Sequence, residues 1–93
     1  MAKFRKWTAK NYKISKAMRR ARLDGEVCVG FTVDTMGRLT DFEIVKDMGF
    51  GTGEELVRVL ELSNTKYGRW KPGIKDRKKV PVRLEMPVFI YTK

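Results

Sequence analysis

The chain has 93 residues, 42% of them apolar, and carries 21 Lys or Arg against 11 Asp or Glu, a net charge of +10. That length makes one small domain with a modest core, and the apolar fraction argues for a folded chain. With no histidine and a single cysteine, Cys28, the sequence offers no Ser-His-Asp triad, no Cys/His metal set and no internal disulfide.

The composition therefore points away from an enzyme, and nothing in it asks for a metal or a cofactor. Glu54-Glu55 is the only adjacent acidic pair, and it falls where a helix N-terminus is expected, a place that favours acids on structural grounds. Gly49, Gly51 and Gly53 lack the spacing of a phosphate-binding loop and read as a flexible strand-to-helix connection. No apolar run reaches the length of a membrane span and no signal peptide is legible, so the chain is expected to be either cytoplasmic or a piece of a longer protein. The charge is uneven. Residues 1 to 23 hold nine basic residues and no acid, residues 66 to 79 hold seven against Asp76, and residues 24 to 62 hold nine acids against three bases. The two basic stretches are expected to share one end or face, ready for nucleic acid, an anionic envelope surface or an acidic protein segment.

Phe4, Trp7, Thr8 and Tyr12 recur at helical spacing and predict an amphipathic helix over 3–12. Ser15 is placed to cap a second helix over 16–22, with Gly25 past its end. Val27, Val29, Phe31 and Val33 then alternate with Cys28, Gly30 and Thr32, the pattern of a half-buried strand, and Cys28 reads as a small packed side chain. Asp34 to Gly37 supplies turn chemistry, and the alternation resumes from Leu39 to Val45 with Thr40, Phe42 and Ile44 on one side, giving a hairpin over 26–45. Thr52-Gly53-Glu54-Glu55 fits a capping box for a helix over 53–63 ended by Asn64. Trp70 reads as a core plug beneath an irregular loop, and 74–79 as a basic turn. Val80, Val82, Leu84, Met86, Val88 and Ile90 alternate through one last strand over 79–91. Pro81 and Pro87 lack N–H groups on the same side of it, which suits an edge strand and not a central one. A right-handed crossover puts this strand antiparallel to the first, which becomes central. The expected fold is a single α+β two-layer domain over 1–93, a three-stranded antiparallel-containing sheet covered by helices, in the order α-α-β-β-α-β.

These residues resemble the C-terminal domain of TonB-like energy transducers. The likeness is carried by Gly25-Glu26-Val27, by Phe31-Thr32-Val33-Asp34 with Gly37, and by Ile44-Val45-Lys46. Trp70-Lys71-Pro72-Gly73, Val80-Pro81-Val82-Arg83 and Met86-Pro87-Val88-Phe89 add to it, and Phe4 to Gly25, with Lys10-Asn11-Tyr12, looks like that family's lead-in helices. The resemblance implies a periplasmic adaptor that grips the N-terminal segment of a TonB-dependent outer-membrane transporter. It implies inner-membrane motor proteins as further partners, reached through an anchored N-terminal region that these residues do not include. Combined with the edge-strand reading, it predicts β-strand addition along Val82, Arg83, Leu84, Glu85 and Met86, using the outward N–H groups of Arg83 and Glu85. Asn11 and Tyr12 are further peptide-binding candidates by family position. Two other classes compete. One is a basic nucleic-acid-binding module supported by the charge and by Trp7, Tyr12 and Trp70, though no base-reading motif accompanies them. The other is a module that self-associates, as a homodimer, through its exposed edge.

Overall fold

A computed structural model describes residues 2–92; Met1 and Lys93, which the expected 1–93 domain includes, lie outside the described residues. The elements are α1 (Ala2–Asn11), α2 (Lys16–Ala21), β1 (Asp24–Val33), β2 (Leu39–Lys46), α3 (Thr52–Lys66), β3 (Gly73–Lys75), β4 (Lys78–Val80) and β5 (Val82–Tyr91). The main sheet runs β2-β1-β5 with both pairings antiparallel, so β1 is central and β5 is an edge. This is the expected α+β fold. No described helix is long and apolar enough to cross a membrane.

The core lies between the sheet and α1 and α3. Val27, Val29, Phe31 and Val33 on β1 and Leu56, Val59 and Leu60 on α3 are fully buried. Phe4 and Thr8 on α1, with Tyr12 directly after its end, form the inner stripe that their spacing predicts. Trp70 plugs one end of this core. Its ring meets Phe4 and Phe31 edge-on, with centroids 5.0 and 5.7 Å away.

Local chemistry accounts for several element ends. The Ser15 hydroxyl accepts from Met18 N at 3.2 Å and caps α2. Asp34 Oδ1 accepts from Met36 N and Arg38 N, each at 2.9 Å, and Gly37 takes φ 80, which closes the β1–β2 turn.

Five expectations are corrected. The residue that turns the chain out of α2 is Arg22, with φ 51, and Gly25 already belongs to β1. Asp41, also at φ 51, bulges out of β2, so Thr40 pairs with Thr32 on the outer face while Phe42 turns to the core beside Phe31. Thr52 and Glu55 do not form a capping box. Gly51 is the N-cap; Thr52 Oγ1 accepts from Met48 N at 3.1 Å and donates to Gly49 O at 2.8 Å. Helix α3 continues past Asn64 to Lys66. The last strand is two strands. Pro81 separates β4, which pairs with β3 in its own ribbon, from β5, so Val80 is not part of the alternation that builds the sheet. The basic turn at 74–79 is therefore the tip of a hairpin.

Candidate functional site: the outer edge of β5

Strand β5 pairs with β1 without interruption from Val82 opposite Val33 to Tyr91 opposite Asp24. It has no strand on its other side among the described residues. Pro87, opposite Cys28, has no N–H to give, and the ladder stays whole only if the odd-numbered residues of β5 direct their backbone groups outward. Arg83, Glu85, Phe89 and Tyr91 then carry the free N–H groups of this edge.

The opposite edge is blunted. Strand β2 is broken by register shifts that bracket Asp41 and Val45. At its start, Asn64 of α3 takes up both backbone groups of Leu39 (Leu39 N to Oδ1 2.8 Å, Nδ2 to Leu39 O 2.9 Å). An open, apolar notch of about 540 Å³ lies beyond β2, lined by Phe42, Ile44 and Val57 with Glu54, Arg58 and Glu61 at its sides.

The predicted site residues separate by role. Met86 is buried in the core, and Val82 and Leu84 are half-buried. The Arg83 guanidinium lies across the outer face of the sheet, where it donates to Thr32 Oγ1 (3.2 Å), to Asp41 O and to Glu43 Oε1 (3.4 Å), tying β5 to β1 and β2. Gly30 makes room for it: a Cβ there would stand 3.1 Å from Arg83 Nη2. Glu85 is exposed and accepts a long contact from Cys28 Sγ at 3.9 Å. Burial and, next, the Glu85 and Glu26 carboxylates push the Cys28 thiol pKa up, which disfavours the reactive thiolate.

Asn11 and Tyr12 join α1 to α3. Asn11 Nδ2 donates to Trp7 O at 2.9 Å, and Asn11 O accepts from Arg58 Nη2 at 3.0 Å. Tyr12 is 8% exposed and its hydroxyl donates to Thr52 O at 2.7 Å. Burial, reinforced by Glu55 and Asp47, raises its pKa far above the ordinary tyrosine range. Its hydroxyl is thus already engaged.

Beside it lies a trough which sequence reasoning missed. Helix α1 runs beside the second half of β5 and leaves two small hollows of about 190 and 180 Å³. Arg5, Thr8 and Ala9 face Met86 to Phe89 in the first. Ala9, Tyr12 and Ile14 face Val88 to Tyr91 in the second. Thr8 Oγ1 is buried at this wall without a hydrogen-bond partner among the described residues. Phe89 and Tyr91 stand on the strand at 75% and 70% exposure. The signal in the sequence was the pair of aromatics on the polar side of the last alternation, at positions 89 and 91.

Fold and edge together define a small two-layer α+β domain whose accessible feature is a sheet edge; among the described residues no cluster of His, Cys, Asp and Glu could hold a metal. The family follows from comparison. A model of the Gram-negative bacterial TonB protein C-terminal domain matches residues 10–89, and the chain belongs to that family. Two solution structures of the Helicobacter pylori TonB C-terminal domain share the fold. Residues 194–285 of that protein match at TM-score 0.74 and 20% identity, over 99% of this chain and 92% of the other. Residues 179–285 match at TM-score 0.72 and 22% identity, over 99% and 79%. No curated protein matches the chain.

Proposed function

We propose that the chain is the periplasmic, peptide-gripping domain of a TonB-type energy transducer, and that it takes the extended N-terminal segment of an outer-membrane transporter as a fourth strand on the outer edge of β5. One observation carries this reading: the sheet has two edges, and only β5 is regular and uncovered while β2 is bulged and clamped by Asn64. Backbone pairing grips a peptide with little demand on its sequence, and a laterally bonded strand suits a part that must transmit a pull.

The incoming strand would bond to Arg83 and Glu85 within the Val82 to Met86 stretch and to Phe89 and Tyr91 beyond Pro87. Its core-side residues would enter the trough against Ala9, Thr8 and the Tyr12 ring. Asn11 and Tyr12 act here by holding α1 in place and not by bonding peptide. In this reading a segment N-terminal to these residues tethers the domain to the inner membrane and its motor proteins.

The test is a titration of the labelled domain with a transporter N-terminal peptide, followed by amide shifts. Saturable shifts at Arg83, Glu85, Phe89 and Tyr91 that persist in added salt are expected. Shifts confined to β2, or binding that salt abolishes, would sink the proposal, because counterion release marks electrostatic capture of a polyanion.

A further inference from the structure

The start of the first basic stretch comes close to the second, whereas its later cations, Arg19, Arg20 and Arg22, lie at the other end of β5, where Leu23 N donates to Thr92 Oγ1. The N-terminal turn of α1 seats Phe4 on Trp70 and Tyr67, each ring centroid 5.0 Å away, which brings Lys3, Arg5 and Lys6 toward the segment that leads into β3. The β3–β4 ribbon stands at the same end, with Gly73 packed so closely on Val82 that an added Cβ would lie 2.3 Å from its Cγ2.

The ribbon breaks two rules of sheet construction. Its register sets Lys75 directly opposite Lys78, and like charges in that position destabilise a pair. Ile74, on the face it shares with Lys79, is 67% exposed. A two-stranded ribbon this short is marginal on its own. Among the described residues, Lys75, Arg77, Lys78 and Lys79 form no ion pair that would offset the repulsion. Charges placed against local stability are expected where a partner supplies the compensation.

Side-chain chemistry selects the partner. Residues 74 to 79 of the ribbon are all exposed, with Lys75 and Lys78 on one face, Ile74 and Lys79 on the other, and Asp76-Arg77 at the tip. It carries no aromatic ring on which a base could stack. An exposed cationic ribbon carrying an exposed apolar side chain suits a layer of anionic headgroups over hydrocarbon, which receives it without a shaped pocket. We propose that the β3–β4 ribbon docks on a bilayer containing anionic phospholipid, with Ile74 at the headgroup–acyl boundary, Lys79 beside it among the phosphates, and Lys75 and Lys78, on the opposite face, within a Debye length of the charged surface. The trough lies along the other half of β5, so this contact leaves it open; the proposal does not depend on peptide binding there.

The test is co-sedimentation with vesicles of phosphatidylcholine alone or mixed with phosphatidylglycerol. Binding to the mixed vesicles only is expected. The triple variant Lys75→Gln/Lys78→Gln/Lys79→Gln should lose on the order of a hundredfold in partition, since each surface cation contributes about fivefold. Ile74→Ser should lose about tenfold. Removing the same charge elsewhere, in Lys10→Gln/Lys13→Gln/Arg20→Gln, should cost far less. Amide spectra of each variant report that the main sheet is intact. Equal losses in the two triple variants, equal binding to both vesicle types, or a short DNA duplex that displaces the vesicles through the same lysines would each overturn the proposal.

Discussion

Asn64 of α3 meets Leu39 of β2 as another strand would: its amide oxygen takes the Leu39 N–H and its amide nitrogen gives to the Leu39 carbonyl, at 2.8 and 2.9 Å. Both groups face away from β1, so without Asn64 they would begin an open edge. Asn64→Ala should destabilise the domain by about 2 kcal/mol, the usual range for leaving partly buried backbone groups unpaired. It should also speed hydrogen exchange at the Leu39 amide. Asn64→Asp keeps the acceptor and loses the donor, and should fall between. Denaturant unfolding of the three proteins checks the order.

Gly37 carries the close approach between the β1–β2 turn and the loop before β3. Its carbonyl accepts from Trp70 N at 2.9 Å, and a Cβ in its place would lie 2.1 Å from Trp70 O. Its φ of 80 adds conformational strain for any other residue. Gly49 has a similar φ of 75 with nothing near its Cβ position. Gly49→Ala should therefore cost about 1 kcal/mol, from conformation alone. Gly37→Ala should cost about 3 kcal/mol or more, because backbone must move. Thermal unfolding of the pair separates clash from conformation.

Glu55 ties α3 to the connection between α1 and α2. Its carboxylate pairs with Arg58 Nη2 at 2.6 Å and accepts from Lys13 N at 2.8 Å. The Arg58 hydrogen bond, aided by the Lys13 amide, holds its pKa below the ordinary 4.5 against the opposing effect of burial. A depressed folded pKa means that the unfolded chain takes up the proton first as pH falls. The contribution of Glu55 is thus fully present above the unfolded value and is lost as pH drops through the folded one. Glu55→Gln should cost about 1 to 2 kcal/mol near neutrality. The gap from the parent protein should close in acid below the ordinary carboxylate pKa, as read by denaturation across pH.

Cys28 should react slowly. Its raised pKa leaves less thiolate than a free cysteine at the same pH, so alkylation should lag behind that of a model thiol. Glu85→Gln removes the carboxylate that acts more strongly on the thiol and should speed the reaction, whereas unfolding in denaturant should remove the difference. Unchanged rates in Glu85→Gln would mean that burial alone controls the thiol.

Phe89 and Tyr91 flank the proposed peptide strand but are barely packed. Phe89→Ala and Tyr91→Ala should each weaken transporter-peptide binding by about 1 kcal/mol, the scale of one cross-strand aromatic contact. Stability should change by less than about 0.5 kcal/mol, as for other exposed substitutions. Calorimetric titration paired with unfolding curves checks both halves.

The sequence by itself determined the features that depend on neighbours a few residues apart. The alternation of Val27 to Val33, the Ser15 cap, the Asp34–Gly37 turn and the inner stripe Phe4, Thr8 and Tyr12 were all legible, because strand and helix periods are local. The prolines also carried topology, since Pro87 suits only an edge. Tertiary structure decided the rest. Asp41 takes a left-handed conformation that its residue type does not announce, and that single bulge reverses which side of β2 faces the core. The alternation through Val80 and Val82 looked continuous because both residues are apolar at a spacing of two, yet Pro81 passes the chain from one ribbon to another sheet. Asn64 read as a helix end because its partner, Leu39, lies on a distant strand. The trough arises where α1, from the start of the chain, comes beside β5, from its end. Contacts between segments so far apart are fixed by how the whole core packs, and no local pattern encodes them.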